Sequence, residues 1–121
     1  MFDVAIIGAG LAGLICAQQL HQAGYRVIVI EKSRGVGGRV ATRRLHDTIA
    51  DHGVRYLEPQ GALPQQMIQW LVQRDILDVW PETIYELTSA NSEPVVINPE
   101  SSQFPRYIAP TGKTAIAQCL A

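Results

Sequence analysis

Three glycines near the amino terminus have a spacing that suits the binding of a dinucleotide. Gly8, Gly10 and Gly13 follow the pattern G-x-G-x-x-G, and the acidic Glu31 lies eighteen residues after the third glycine. The first glycine permits a sharp turn, the second lets a pyrophosphate approach the backbone, and the third lets a helix pack closely on a strand. A carboxylate about 20 residues further along accepts hydrogen bonds from ribose hydroxyls. These residues predict a site for an adenine dinucleotide.

A second glycine-rich segment follows Glu31. Residues 35–39 read Gly-Val-Gly-Gly-Arg, which predicts a turn whose backbone N–H groups point at an anion. Arg39 can contact a phosphate or brace the turn, and a plain turn with a solvated arginine is the alternative. Glu31 disfavours NADP because a carboxylate repels a 2′-phosphate, although Lys32 and Arg34 would weaken that repulsion. The first motif alone leaves NAD and FAD open, and the second segment favours FAD.

The elements that must position these residues can also be read from the sequence. Residues 2–7 and 26–31 are short and apolar, as expected for parallel strands, and the first is predicted to be buried on both faces. A helix between them is predicted to begin near Leu11 and to stop at Gly24. Its unpaired N–H groups and positive dipole end would face the phosphates. The sequence therefore predicts a Rossmann-like βαβ unit.

The remainder of the chain predicts a hairpin, helices and short strands. We expect a hairpin of residues 40–46 and 48–51 that reverses near residues 46–47. We also expect an amphipathic helix over residues 63–74 whose apolar stripe begins at Leu63. The fold class is therefore α/β, a Rossmann-like FAD/NAD(P)-binding βαβ unit with an additional β-hairpin and helices, in one domain over residues 1–121. Strand-like segments and a short helix complete the prediction, at residues 83–88, 94–98, 104–109 and 111–120, and a polar turn at residues 89–93 joins the first two strand-like segments.

Other chemically capable residues are interpreted as structural. Gly112-Lys113-Thr114 copies the end of a P-loop, but Tyr107 stands where the leading glycine is required, so we expect a helix start with a solvated lysine. Cys16 and Cys119 lie far apart in predicted helices and are expected to be small buried residues. The three histidines have no metal-ligand spacing, and Asp51-His52 is expected to form a turn or a backbone contact.

The composition predicts a globular protein, and the position of the first glycine motif predicts a cytoplasmic one. Hydrophobic residues make up 47% of the chain, which is typical of a folded domain. A formal net charge of −1 with interspersed signs gives no nucleic-acid footprint. Residues 4–17 are mostly apolar, as in a signal peptide or a membrane-spanning helix. Neither is expected, because three glycines interrupt the run and it is too short to cross about 30 Å of hydrocarbon. With the glycine motif already at residue 8, we expect no cleavable leader.

The motifs resemble those of a known group of flavoproteins. The run from Gly8 to Arg39 is similar to the FAD signature of amine-oxidase and glutathione-reductase-type flavoproteins, and it matches that signature at every position. The continuation through Arg43 to Asp-His-Gly at residues 51–53 resembles renalase-like FAD-dependent oxidoreductases more specifically. Residues 106–121 also resemble that group.

This resemblance implies FAD as the cofactor and a set of contacting residues. In that group the first glycine turn lines the FAD pyrophosphate, the acid after the second strand binds the adenosine ribose, and the next lysine lies near the adenine or ribose. The arginine of the second glycine turn lies by the pyrophosphate and ribityl chain. No catalytic acid or base is assigned, because the flavin carries the chemistry. The implied cofactor-binding residues are Gly8, Gly10, Leu11, Ala12, Gly13, Glu31, Lys32, Gly38, Arg39 and Arg43.

The family's enzymes are much longer than this chain and add a substrate-binding domain. The resemblance therefore implies a truncated, N-terminal portion of an FAD-binding domain, with a small-molecule substrate or a second polypeptide as partners once the fold is completed. The function it implies is an oxidoreductase whose flavin accepts a hydride from a small reduced substrate. Two alternatives stay open: a non-catalytic module that grips the ADP moiety of FAD or NAD, and half of an NAD-dependent dehydrogenase.

Overall fold

The chain forms two compact units. The computed structural model describes residues 1–80, 84–87, 94–97 and 103–121, and gives the backbone course alone for the two short ranges. The first unit consists of residues 1–55 together with residues 109–121, and the second of residues 56–108. The glycine motifs lie in the first unit.

The first unit begins with the predicted βαβ arrangement. Strand β1 (Val4–Ile7), helix α1 (Leu11–Gln22) and strand β2 (Val27–Ile30) follow one another, and the strands pair in parallel with Val4 opposite Val27. Gly24 adopts a positive φ of 90° just after the helix, where a left-handed residue ends the helical hydrogen bonding. The predicted Rossmann-like α/β fold is thus confirmed in its βαβ arrangement.

Strand β1 is less buried than predicted. Its residues alternate between half-buried and exposed, and Ile7 keeps 79% of its surface exposed. Helix α1 packs against β1 and β2 and so covers one face of this two-stranded sheet. Because side chains alternate between the faces of a strand, covering one face leaves every second residue in solvent.

A short hairpin follows the second glycine segment. A 3-10 turn occupies Gly38–Val40, and β3 (Thr42–Leu45) then pairs antiparallel with β4 (Thr48–Asp51). The predicted first strand therefore starts two residues late, because Val40 is taken up in the turn, where it is buried. The predicted reversal at residues 46–47 is confirmed, and His46 has a φ of 51° there.

The carboxyl-terminal segment adds a third helix to the first unit. Helix α3 (Thr114–Leu120) begins three residues later than predicted, since Gly112 has a φ of 95° that breaks the helical conformation. Ile116 and Ala117 are fully buried, and α3 contacts α1 and the 3-10 turn. The prediction that both cysteines are buried was wrong for Cys16, which is exposed on α1, and Cys119 is only half-buried; both are free thiols.

The second unit contains one helix among its described residues, α2 (Ala62–Val72). Ile68 and Leu71 are buried in it, whereas Leu63 keeps 73% of its surface exposed, so the predicted stripe was wrong at its first residue. Leu63 precedes Pro64 in the first helical turn, a full turn before the buried face begins.

Four short strands accompany α2 in this unit. Strand β5 (Asp78–Val79) pairs antiparallel with β8 (Tyr107–Ile108), which is shorter than the strand predicted over residues 104–109. Strands β6 (Ile84–Leu87) and β7 (Pro94–Ile97) form an antiparallel pair within the ranges predicted for them. The turn predicted at residues 89–93 lies outside the described residues.

Candidate functional site: two joined glycine turns

The first glycine turn connects β1 to α1 through a conformation that requires glycine. Gly8 has a φ of 98°, and its N–H group donates a hydrogen bond of 2.7 Å to the carbonyl of Ile30. A Cβ on Gly13 would lie 2.0 Å from the carbonyl oxygen of Gly8, so any side chain there would separate the helix from the turn. The first and third glycines are therefore explained by the fold itself.

Gly10 is different, because the space beside it is open. A Cβ at this position would have no heavy atom within 4 Å, and its backbone is extended (φ −77°, ψ 175°). Gly10 is the N-cap of α1, and no side chain caps the N–H groups that follow at Leu11, Ala12 and Gly13. Uncapped N–H groups at the positive end of a helix attract an anion such as a phosphate.

The second glycine turn, residues 35–39, packs directly onto the first. The N–H group of Gly37 donates a hydrogen bond of 2.8 Å to the carbonyl of Ala9, and Gly10 and Gly37 form a parallel β-bridge. Gly37 and Gly38 have φ values of 118° and 56°, and a Cβ on Gly38 would lie 3.5 Å from the Cα of Gly10. Two motifs that are separate in the sequence thus form one backbone surface beside the amino end of α1.

Glu31 links the end of β2 to this surface. Its Oε2 accepts a hydrogen bond of 2.7 Å from the N–H group of Ala9, and its Oε1 accepts one of 2.8 Å from the N–H group of Ser33. The hydrogen bonds from Ala9 and then from Ser33 lower the pKa of the Glu31 carboxyl to about 2. A carboxylate has about four acceptor positions, so acceptor capacity remains for the hydroxyls of a ribose.

The sequence does not predict the bond between Glu31 and Ala9. The spacing assigns the carboxylate to a ligand, whereas the structure also uses it to hold the first glycine turn in place. A strand-end acid placed beside a loop of free N–H groups is the signal that could have indicated this second role.

Basic side chains are concentrated in the segment that contains the second glycine turn. Five of the ten lysines and arginines fall within residues 32–44, and all five are exposed. Within the described part of the chain, no ion pair or side-chain hydrogen bond is formed by these five side chains. They are therefore available to an anionic ligand. The five are Lys32, Arg34, Arg39, Arg43 and Arg44.

The segment after β4 returns to the second glycine turn. The N–H group of Val54 donates a hydrogen bond of 3.1 Å to the carbonyl of Arg39. A Cβ on Gly53 would lie 1.9 Å from that same carbonyl oxygen, so only glycine allows this approach. Residues 53–54 therefore fix the backbone at Arg39, while His52 is exposed.

Lys113 is not the solvated residue that the sequence suggested. Its side chain is 7% exposed, and its Nζ lies 2.8 Å from Oδ2 of Asp51. Burial raises the pKa of Asp51, but hydrogen bonds from Lys113 and Thr42 outweigh it and leave that pKa below its usual range. No local pattern could have predicted this ion pair, because 62 residues separate its partners.

Other kinds of site find little support in the described residues. Among residues 1–80 and 103–121, histidine, cysteine and acidic side chains form no group of three that could hold a metal ion. A helix of the length and apolarity needed to cross a membrane is likewise missing from the described part of the chain.

Comparison with known proteins places the chain among nucleotide-binding domains. Over residues 6–70 it matches the family of NAD(P)-binding Rossmann-like domains. It is 40% identical to lysine-specific histone demethylase 1 homolog 1 of Arabidopsis thaliana, covering 54% of this chain and 9% of that protein. It is 42% identical to an L-amino-acid oxidase of Crotalus adamanteus, covering 54% of this chain and 13% of the oxidase.

Solved structures give a consistent result. Wild-type putrescine oxidase bound to putrescine superimposes with a TM-score of 0.58 at 29% identity, covering 84% of this chain and 22% of that one. A fatty acid isomerase from P. acnes gives a TM-score of 0.58 at 25% identity, covering 84% of this chain and 23% of that one. The chain thus spans less than a quarter of the length of these proteins. The family match covers more than half of the chain, and the chain therefore belongs to the NAD(P)-binding Rossmann-like domains.

Proposed function

We propose that this chain is the N-terminal part of the FAD-binding domain of an amine-oxidase-type oxidoreductase, and of its renalase-like branch in particular. The observation that carries the proposal is the junction of the two glycine turns at Gly10 and Gly37, beside the uncapped end of α1. Similarity to an L-amino-acid oxidase and to putrescine oxidase supports the oxidoreductase class. The renalase-like branch rests on the motif resemblance alone.

FAD is the cofactor that the site suits best. The free N–H groups at Leu11, Ala12 and Gly13 would bind the pyrophosphate, for which Gly10 leaves room. Glu31 would accept hydrogen bonds from the adenosine ribose. When bound, FAD supplies an isoalloxazine ring that accepts a hydride from a small reduced substrate.

The basic residues would complete the contacts to the cofactor. Lys32 follows Glu31 and would lie near the ribose or adenine. Arg39 lies on the second turn together with Gly38, and its charge would balance that of the pyrophosphate. Arg43 would lie toward the flavin end. These side chains bind and orient the cofactor, and we assign none of them as a proton donor or acceptor.

The second candidate function is a non-catalytic module that binds the ADP moiety of FAD or NAD. Both glycine turns and Glu31 lie within the first unit, which by itself could hold an ADP group. The proposal also includes a small-molecule substrate, a second polypeptide that completes the fold and a cytoplasmic location.

Nucleotide titration distinguishes the two candidates. We expect the purified protein to bind FAD with one-to-one stoichiometry and visible flavin absorbance, and to bind FAD more tightly than ADP or NAD in calorimetry. Equal affinity for the three nucleotides would favour the ADP-gripping module. A colourless protein that does not take up added FAD would contradict the proposed function.

A further inference from the structure

The first unit contains a buried lysine for which the proposed cofactor site has no use. Lys113 is 5% exposed as a residue and forms an ion pair with Asp51, whose side chain is 22% exposed. The backbone N–H group of Lys113 also donates to Oδ1 of Asp51 at 3.1 Å, and the hydroxyl of Thr42 donates to the same oxygen. A buried charge is tolerated only when it is paired, so this arrangement depends on all its members.

Two further hydrogen bonds join the start of β3 to the start of α3. The N–H group of Thr42 donates to Oγ1 of Thr114 at 2.6 Å, and the N–H group of Thr114 donates to Oγ1 of Thr42 at 3.1 Å. A Cβ on Gly112 would lie 2.8 Å from the Thr42 side chain, so the segments meet at closest approach. We name Thr42, Asp51, Lys113 and Thr114 the Lys113 clamp.

The clamp joins β3, which follows the second glycine turn in the chain, to α3, which packs against that turn. Thr42 begins β3, two residues after the 3-10 turn ends, and Thr114 begins α3. Helix α3 contacts that turn, and a Cβ on Gly37 would lie only 3.5 Å from the Cβ of Ala117. Gly37 in turn donates to Ala9 in the first glycine turn at 2.8 Å. A continuous path of contacts therefore runs from the part-buried ion pair to the phosphate-binding surface.

We propose that the Lys113 clamp is a positioning device for the cofactor. It fixes the second glycine turn, and with it Arg39, so that the site selects complete FAD over a nucleotide that lacks the flavin half. This inference rests on the proposed function, in which the first turn and Glu31 contact the ADP part and Arg39 lies by the pyrophosphate and ribityl chain. Both nucleotides carry a diphosphate, but only FAD has the ribityl chain that would follow the second glycine turn, so loosening the clamp should weaken FAD binding more than ADP binding.

The test compares FAD and ADP affinities by calorimetry for the wild type, Lys113→Met and the double variant Lys113→Met/Asp51→Asn. We expect the Kd for FAD to rise by about tenfold and that for ADP by less than about threefold, because the uncapped N–H groups of α1 and Glu31 still bind ADP. Amide exchange gives a second readout, in which the N–H groups of Val40 and Ala41 lose protection while those inside α1 keep it. These two amides donate to Gly37 and Gly38 in the wild type.

An exposed ion pair of the same unit provides the matched control. Arg26 and Asp3 lie 2.7 Å apart, with side chains 60% and 37% exposed, so Arg26→Met removes a pair without loosening the turn. We expect this variant to keep the FAD-to-ADP preference of the wild type.

Each outcome decides the proposal. If Lys113→Met is unfolded, the double variant carries the comparison, because it leaves no unpaired buried charge. If the variants lose FAD and ADP affinity equally, or keep the wild-type preference for FAD over ADP, the proposed role of the clamp is wrong while the proposed function still stands. A wild-type protein that binds neither nucleotide would overturn the proposed function and the clamp together.

Discussion

Glu31 shows how one side chain can serve both the fold and a ligand. Its two oxygens accept hydrogen bonds from Ala9 and Ser33, which keeps the first glycine turn against the end of β2. A loop that is already in place avoids part of the ordering cost that binding would otherwise carry. We infer that the glycine turn holds its shape before the cofactor arrives.

The lowered pKa of Glu31 leads to a prediction about acid stability. The pKa falls from a usual value of 4.5 to about 2 on folding, so the carboxylate stabilises the folded state fully above about pH 4.5. This contribution is lost as the pH falls from there through about 2, because protonation removes the acceptor. Glu31→Gln should therefore lower the urea midpoint near neutral pH, and its difference from the wild type should shrink in acid. A difference that stays constant down to about pH 2 would contradict the assignment.

At the scale of elements, close contact between α1 and the first glycine turn sets the geometry of the βαβ unit. Gly13 is the point of contact, because a Cβ there would lie 2.0 Å from the carbonyl oxygen of Gly8. Backbone atoms cannot move aside as a flexible side chain can, so helix and strand would have to separate.

Two glycine substitutions test this contact. Gly13→Ala should lower the free energy of unfolding by more than about 2 kcal/mol, although alanine is the better helix former. Gly35→Ala is the control, since a Cβ there would have no atom within 4 Å, and we expect a change within about 0.5 kcal/mol. Chemical denaturation measures both, and equal stability of the two variants would show that the contact is unimportant.

Elements defined by local pattern were predictable from the sequence. β1, α1 and β2 lie within their predicted ranges, because apolar periodicity and glycine positions act over a few residues. Long-range pairing was not predictable: Lys113 appeared solvated because its partner, Asp51, is 62 residues away. For the same reason, local pattern could not show that Ile7 is left exposed.

At the scale of the whole molecule, the distribution of charge is uneven although the total is close to neutral. The net charge is −1, yet half of the lysines and arginines lie within residues 32–44, the segment that contains the second glycine turn. Such a concentration raises the local potential and speeds the approach of an anion. The second unit, residues 56–108, contributes none of the cofactor-binding residues that we propose.

The joined glycine turns are the central claim, and Gly10 tests it most directly. Its backbone is extended and an added Cβ would meet no heavy atom within 4 Å, so we expect Gly10→Val to fold and lose only about 1 kcal/mol of stability through the weaker N-cap. The added side chain would nevertheless occupy the space assigned to the pyrophosphate. We predict that this folded variant binds FAD at least about a hundredfold more weakly than the wild type in a fluorescence titration. A folded Gly10→Val protein that binds FAD as tightly as the wild type would contradict the account.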